Sequence, residues 1–383
     1  MPAPDVALIS PFPAPGDRHG GWTGVASYSA NLAEALGDAG ARVTVLAGDD
    51  GGPAVVRDGA VEVRRTWRRG PAALPAAAAA ARATGAPAVH LQHELFLYGG
   101  PAAVPGTVPA LAALRGRRAV VTMHHVVDPA GVDAEFTATH RVRAPAPLAR
   151  AGVATVQRAI RGLADTVVVH EPSFAQVVPG AAVVPHGIEI AERADRSAAR
   201  AALGVDEDRL CVLCFGFLAP YKGLEAALGA ARLAGDAVRL VIAGGEHPRV
   251  GGAYAERLRA GAPPNARFTG FVSSADVPRW FAAADVALLP YPRPFASSGP
   301  LALALAHGTP VLLSDALARS TGAPAVLATA QDPAAIAARL EALAAGPAGL
   351  AELRSAAATL ARGRTWPEVA RRHLELYGLD APG

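Results

Sequence analysis

Lysine is almost missing from this chain. Of its 36 lysines and arginines a single one is lysine, Lys222, and the rest are arginine. Charge of any kind is sparse, at 18% of residues, and aromatics make up only 5%. A formal net charge of +3 spread over 383 residues does not supply the concentrated basic face that a nucleic-acid groove needs. Cysteine is nearly absent too. Cys211 and Cys214 have CxxC spacing, but Leu210–Phe215 reads as a buried strand, where free cysteine behaves as a small hydrophobe. No second CxxC or nearby histidine completes a zinc set. No stretch approaches the ~18 uninterrupted apolar residues of a membrane span. The N-terminus lacks the basic segment and long apolar run of a signal peptide. A soluble, cytoplasmic protein is expected. The 51% hydrophobic content excludes a disordered chain, and the length suits two domains.

What is present is an alternation of short apolar runs with helical stretches. Strands are expected at Val6–Ile9, Val43–Ala47, Val61–Val63, Ala88–Leu91, Ala119–Met123, Thr166–Val169 and Val183–Val184, with helices at Ser27–Leu36, 73–83, 107–115 and 150–163. The pattern restarts with strands at Val212–Phe215, Val238–Ala243, Arg267–Thr269, Val286–Leu289 and Pro310–Leu313, and helices at Leu224–Leu233, 253–260, 275–283, Leu301–Ala306 and 333–345. This is an α/β chain with two doubly wound, Rossmann-like parallel sheets. The expected division is a first domain over 1–187, a polar linker over 188–205, a second domain over 206–364 and a terminal helix over 365–383. Two such domains facing each other bring the carboxyl ends of both sheets to a central cleft, where open α/β sheets bind ligands.

Several segments then carry a resemblance. A glycine-rich loop, Gly20–Ser27, precedes Tyr28 and the first helix, although it fits neither GxGxxG nor a Walker motif. Val183-Val184-Pro185-His186-Gly187-Ile188 closes the first half. Phe215–Gly223, Val241–Gly245, Phe268–Val272, Ala284–Pro290 and His307–Val311 follow in the second. In this order they resemble the GT-B glycosyltransferases, family 4 in particular, over nearly the whole chain.

The resemblance implies a retaining, metal-independent transfer of a hexose-type sugar from a nucleotide-diphosphate donor, a UDP- or GDP-sugar, to an acceptor hydroxyl. No further cofactor is implied. Lys222 matches the family lysine at the diphosphate, where a compact cation stabilises the departing group. The donor side would comprise Gly216, Lys222, Gly244, Phe271, Ser297, Ser298, Gly299 and Leu301. Ser298 and Pro300 are suited to a helix start, whose free N–H groups attract phosphate. His124 matches the family histidine near the anomeric centre. Gly24, Val25, His93, Glu94 and His125 fall on the acceptor or sugar side. His170-Glu171 ends another strand and reads equally as site or structure.

Two departures stand against the family pattern. Its arginine before the lysine falls at Phe217, and its paired glutamates fall at Phe295 and Leu303. The chain instead resembles a subgroup with Gln92-His93-Glu94 and Ser297-Ser298-Gly299 segments. These losses keep open a non-catalytic GT-B protein that binds a nucleotide sugar or stabilises a partner, and a GT-B sugar-nucleotide epimerase. Asp206-Glu207-Asp208 has the look of a cation-binding motif but sits where a solvated turn is expected. Asp49-Asp50 reads as a turn. Trp366 and Tyr377 are expected to pack the terminal helix. The arginines at 64, 65, 68, 69, 115, 117 and 118 read as solvated surface, with peripheral membrane contact as the alternative. The acceptor is a small molecule or glycan meeting loops near Gly20–Val25 and the irregular Asp128–Arg143. No nucleic-acid partner is expected, and oligomeric state is not readable.

Overall fold

The computed structural model describes residues 3–14, 23–49, 52–192, 194–246, 252–293 and 297–379. The chain divides into two units, Met1–Gly187 with Trp366–Gly383, and Ile188–Thr365. Of the sequence-predicted features, Gly20–Trp22, Asp50 and Phe295 lie outside the described residues.

The first unit is built on β1 (Val6–Ile9), β2 (Val43–Gly48), β3 (Val55–Asp58), β4 (Val61–Trp67), β5 (Ala88–His93), β6 (Arg118–Met123), β7 (Thr166–Val169) and β8 (Ala182–Val183). Their order is β3-β4-β2-β1-β5-β6-β7-β8, and only β3 runs antiparallel to its neighbour. β1, at the centre of the sheet, is apolar throughout because both its faces are covered. Period two sends Val6 and Leu8 into one core, with the helices Gly24–Asp38 and Trp366–Tyr377. It sends Ala7 and Ile9 into the other, with the helix Ala73–Ala83. That helix is mostly alanine, the strongest helix former, and its Ala77, Ala78 and Ala81 are buried.

The second unit has six parallel strands, β9 (Leu210–Phe215), β10 (Val238–Ala243), β11 (Ala266–Gly270), β12 (Val286–Leu289), β13 (Val311–Ser314) and β14 (Ala328–Thr329). Their order is β11-β10-β9-β12-β13-β14. Strand order reverses between β1 and β5 in the first unit and between β9 and β12 in the second. The carboxyl ends at these two places are where each sheet leaves a crevice.

Three segments differ from expectation. The stretch 188–205, read as a linker, holds a helix over Arg196–Leu203 capped by Asp195. Its Arg200 is 0% exposed, bonded to Asp285 and to the carbonyls of Ala283 and Asp206. Asp128–Arg143, read as irregular, contains a helix over Ala134–Thr139 capped by Asp133. Pro347–Arg362 is helical as well. The acidic run is used for ion pairs, Asp206 with Arg239 and Glu207 with Arg196. Among the described residues no group of three metal-ligating side chains occurs, and no single helix is long and apolar enough to cross a membrane.

Candidate functional site

In the first unit, neighbouring strands end in histidine. Parallel register pairs His93 with Met123 and Met123 with Val169, so the residues just beyond, His124 and His170, emerge side by side. The His124 backbone N–H donates to the His93 carbonyl at 2.9 Å. Its ring Nε2 is hydrogen-bonded to Gln92 Oε1 at 2.6 Å and its Nδ1 to His170 Nε2 at 3.1 Å. His170 Nδ1 donates to the Val184 carbonyl at 3.0 Å. Both ring nitrogens of His124 are therefore engaged inside this unit. Burial, then the charges that His170, His186, His90 and His93 would carry, hold it well below the usual imidazole range.

Tyr28, on the helix Gly24–Asp38, is the hub of this cluster. Its ring meets those of His124, His186 and Trp366 edge-on at 4.7, 5.0 and 5.2 Å between centroids. The terminal helix adds a bond between Tyr377 Oη and His90 Nδ1 at 2.6 Å. His93 is buried at the end of β5, beside the strand-order reversal, and its Nδ1 has no hydrogen-bond partner among the described residues. Burial lowers its imidazole to about 4. A buried polar atom left open at a sheet's carboxyl end is a place for a ligand hydroxyl. Glu94 is half-buried and its carboxyl is pushed up by that burial. His125 is half-buried and held down by burial and by His140. The result is a floor of buried imidazoles, a residue type that can exchange hydrogen bonds with sugar hydroxyls.

Two of the sequence-predicted positions on this side separate. Gly24 has open space where a Cβ would stand. Val25 does not face it: the side chain is in the core, and its N–H donates to the Thr23 hydroxyl at 3.3 Å.

In the second unit, the chain leaves β9 through Gly216 and makes a tight turn over Pro220–Lys222. Gly223 closes that turn at φ +66°, where an added Cβ would lie 2.0 Å from the Pro290 carbonyl oxygen. This fixes Lys222 against the end of β12. The lysine is 5% exposed and its Nζ donates to the Tyr291 hydroxyl at 2.6 Å. It forms no ion pair among the described residues, and burial lowers its ammonium to about 8. A Cβ at Gly216 would come within 3.1 Å of that Nζ and 3.4 Å of Pro300, so the glycine keeps space open beside the charge.

Ser298 caps the helix Gly299–Ala306, accepting from the Leu301 N–H at 3.3 Å, and donates to the Tyr291 hydroxyl at 3.4 Å. The Ser297 hydroxyl is buried without a partner among the described residues. A buried unpaired cation, an open glycine, two hydroxyls and a helix N-terminus thus converge, a set that fits a multiply charged oxyanion.

Three of the expected donor-side positions stand apart from this set. Leu301 is 2% exposed, packed in the core with its N–H already taken. Gly244 is glycine because an added Cβ would stand 2.1 Å from the Gly216 carbonyl oxygen. It knits two loops together. Phe271 is 79% exposed, beyond β11 and next to Gly245, and has no contact with Lys222. Sequence reasoning missed Tyr291, Gln92 and the His124–His170 contact.

Residues 23–187 match the family model described as a glycosyl transferase 4-like domain, and residues 209–345 match that of glycosyl transferases group 1. No curated protein matches the chain. Among solved structures it is similar to sucrose-phosphate synthase from Thermosynechococcus elongatus, at 21% identity and TM-score 0.69 over 97% of this chain and 98% of that one. It is similar to Anabaena HepE in complex with UDP and glucose, at 18% identity and TM-score 0.64 over 98% and 99%. A third is the α,α-trehalose 6-phosphate synthase of Burkholderia multivorans, at 14% identity and TM-score 0.65 over 98% and 96%.

Proposed function

This chain belongs to the family-4-like glycosyltransferases of the GT-B fold, and we propose that it moves a hexose from a UDP- or GDP-sugar to a hydroxyl of a small molecule or glycan, with retention at the anomeric carbon and without a metal. The observation that carries the donor assignment is Lys222, a buried cation with no carboxylate partner among the described residues. An unpaired buried charge is costly, and a ligand diphosphate is the counter-ion that would relieve it. The complex of Anabaena HepE with UDP and glucose supports the same choice.

In this mechanism the acceptor hydroxyl attacks the face that the phosphate leaves, and a phosphate oxygen takes its proton. Such a route needs held charge and held geometry more than a carboxylate base. Lys222 and the N-terminus of Gly299–Ala306 would stabilise the departing diphosphate. His93 and the His124 cluster would orient sugar hydroxyls. His124, with both nitrogens bonded within the protein, acts by position and not as a proton acceptor. Its replacement by alanine is expected to lower kcat by about 10-fold or more while UDP affinity changes less than threefold, an order of magnitude typical of lost orientation. Equal losses in both, read by steady-state kinetics and calorimetry, would make the residue structural.

The donor assignment is tested by binding UDP, GDP and dTDP and their sugars across pH. Affinity for the correct nucleotide should be flat below pH ~7 and decline as the pH rises through about 8, where burial places the loss of charge of Lys222 in the free protein. The sign follows from linkage: the diphosphate favours the ammonium, and less of the free protein carries it as pH rises. Absence of binding by every nucleotide would sink the assignment. A non-catalytic nucleotide-sugar binder is favoured by Phe217 and Leu303, which stand where the family carries charge. Tight binding with no transfer to any acceptor would select that reading.

A further inference from the structure

We propose that Tyr291 is a second contact for the bound diphosphate, its hydroxyl oxygen accepting from Lys222 and its own proton donated to a phosphate oxygen. This deepens the donor reading above and rests on it. Tyr291 follows β12, the strand across the order reversal from β9. Its carbonyl accepts from the Ser314 hydroxyl at 2.6 Å, and its ring stands edge-on to Tyr221 at 6.2 Å. Its hydroxyl is thereby held at one place.

A phenol has two lone pairs and one proton. Both lone pairs are occupied, one by the Lys222 Nζ hydrogen at 2.6 Å and one by the Ser298 hydroxyl hydrogen at 3.4 Å. The Tyr291 proton has no acceptor among the described residues, although the side chain is buried. What completes this arrangement must accept and not donate, and must be anionic to suit the ammonium beside it. A phosphate oxygen meets both conditions. The cation also polarises the phenol, so the hydrogen bond to an oxyanion is of the stronger, charge-assisted kind.

The chain offers an unusual test, because Lys222 is its only lysine. Protein grown with lysine labelled with carbon-13 at Cε gives one side-chain resonance, and its pH titration reads this ammonium alone. The titratable groups facing Lys222 are Tyr221, Tyr291 and Cys214. Burial raises all three, the thiol to about 12, so none is charged near neutral pH. Tyr291→Phe removes the oxygen that accepts from Nζ. The lysine midpoint should then move downward, and UDP affinity should fall about 10-fold or more, as for loss of a hydrogen bond to a charged group. Tyr291→Met serves as a second hydroxyl-free variant should the first fold poorly. A lysine midpoint unmoved in both variants, or UDP affinity within twofold of the unaltered protein, overturns the proposal. If UDP, GDP and their sugars all leave the lysine resonance of the unaltered protein where it is, the donor reading falls and takes the ligand contact with it. The titration of the variants still decides the Tyr291–Lys222 contact on its own.

Discussion

Replacing Lys222 by alanine lowers kcat/KM for sugar transfer by about 10²–10³-fold, the range seen when a preorganised charge-stabilising group is removed, while thermal stability holds or rises. The two effects separate because the ammonium is a burden on the fold and an asset to the reaction. It is buried with one neutral hydrogen-bond partner and two flanking rings, at 4.7 Å from the Tyr291 centroid and 5.4 Å from that of Tyr221. Those contacts offset only part of the cost of taking a charge out of water. Its loss removes a strain on the folded state and the charge that meets the leaving diphosphate. Arginine is not expected to rescue the activity. The space between Gly216 and Pro300 is narrow, and a planar guanidinium does not occupy the position of a point charge. The check is steady-state kinetics with the donor identified by binding, set beside thermal melts of the same samples. Unaltered turnover in Lys222→Ala would take the residue out of the mechanism.

The largest effect on stability is expected at Asp285. One of its carboxylate oxygens receives Arg200 Nη2 and, at 2.8 Å, the Cys211 N–H. The other receives Arg196 Nε and Nη2 at 3.1 and 3.0 Å. Asp285→Ala leaves the fully buried Arg200 guanidinium without the carboxylate that pairs with it and frees a backbone N–H at the start of β9. Breaking a buried pair from one side costs about 3–5 kcal/mol. Urea denaturation should show this as a lower midpoint with an unchanged slope. The double replacement Arg200→Met with Asp285→Leu should recover much of the loss, since an apolar pair leaves no charge behind. A cost below about 1 kcal/mol for the single change would place the pair with ordinary surface ion pairs.

Strands buried on both faces were the most readable part of this sequence, because parallel sheets covered by helices need near-continuous apolar runs. The edge hairpin was not readable: Val55–Asp58 pairs antiparallel with β4, and half of it is polar. Arg196–Leu203 looked like a linker because the polar residue that anchors it, Arg200, is the one that is buried. Lys222 and Ser298 could be found from motif and capping pattern. Leu301 and Val25 sit inside the same segments, yet the core claims their side chains. Tyr291 carries no motif signal of its own. It becomes visible once the topology shows that β12 neighbours β9. The His124–His170 pair had a usable signal, since β6 and β7 are consecutive strands that are each followed directly by histidine.

The chain passes from the first unit to the second at Gly187 and back at Trp366, so the second unit is an insertion within the first. During synthesis, which runs from the N-terminus, the second sheet emerges whole before the first unit has its last helix. Until Trp366–Tyr377 arrives, the Tyr28 ring lacks its indole neighbour and His90 lacks the Tyr377 hydroxyl. A nascent chain must therefore carry an open apolar face on its earlier half for the time taken to make the intervening 188–365 segment. Maturation of the first unit is timed by the last helix translated, and a ribosome stalled before it would release a protein with one finished domain and one that chaperones must guard.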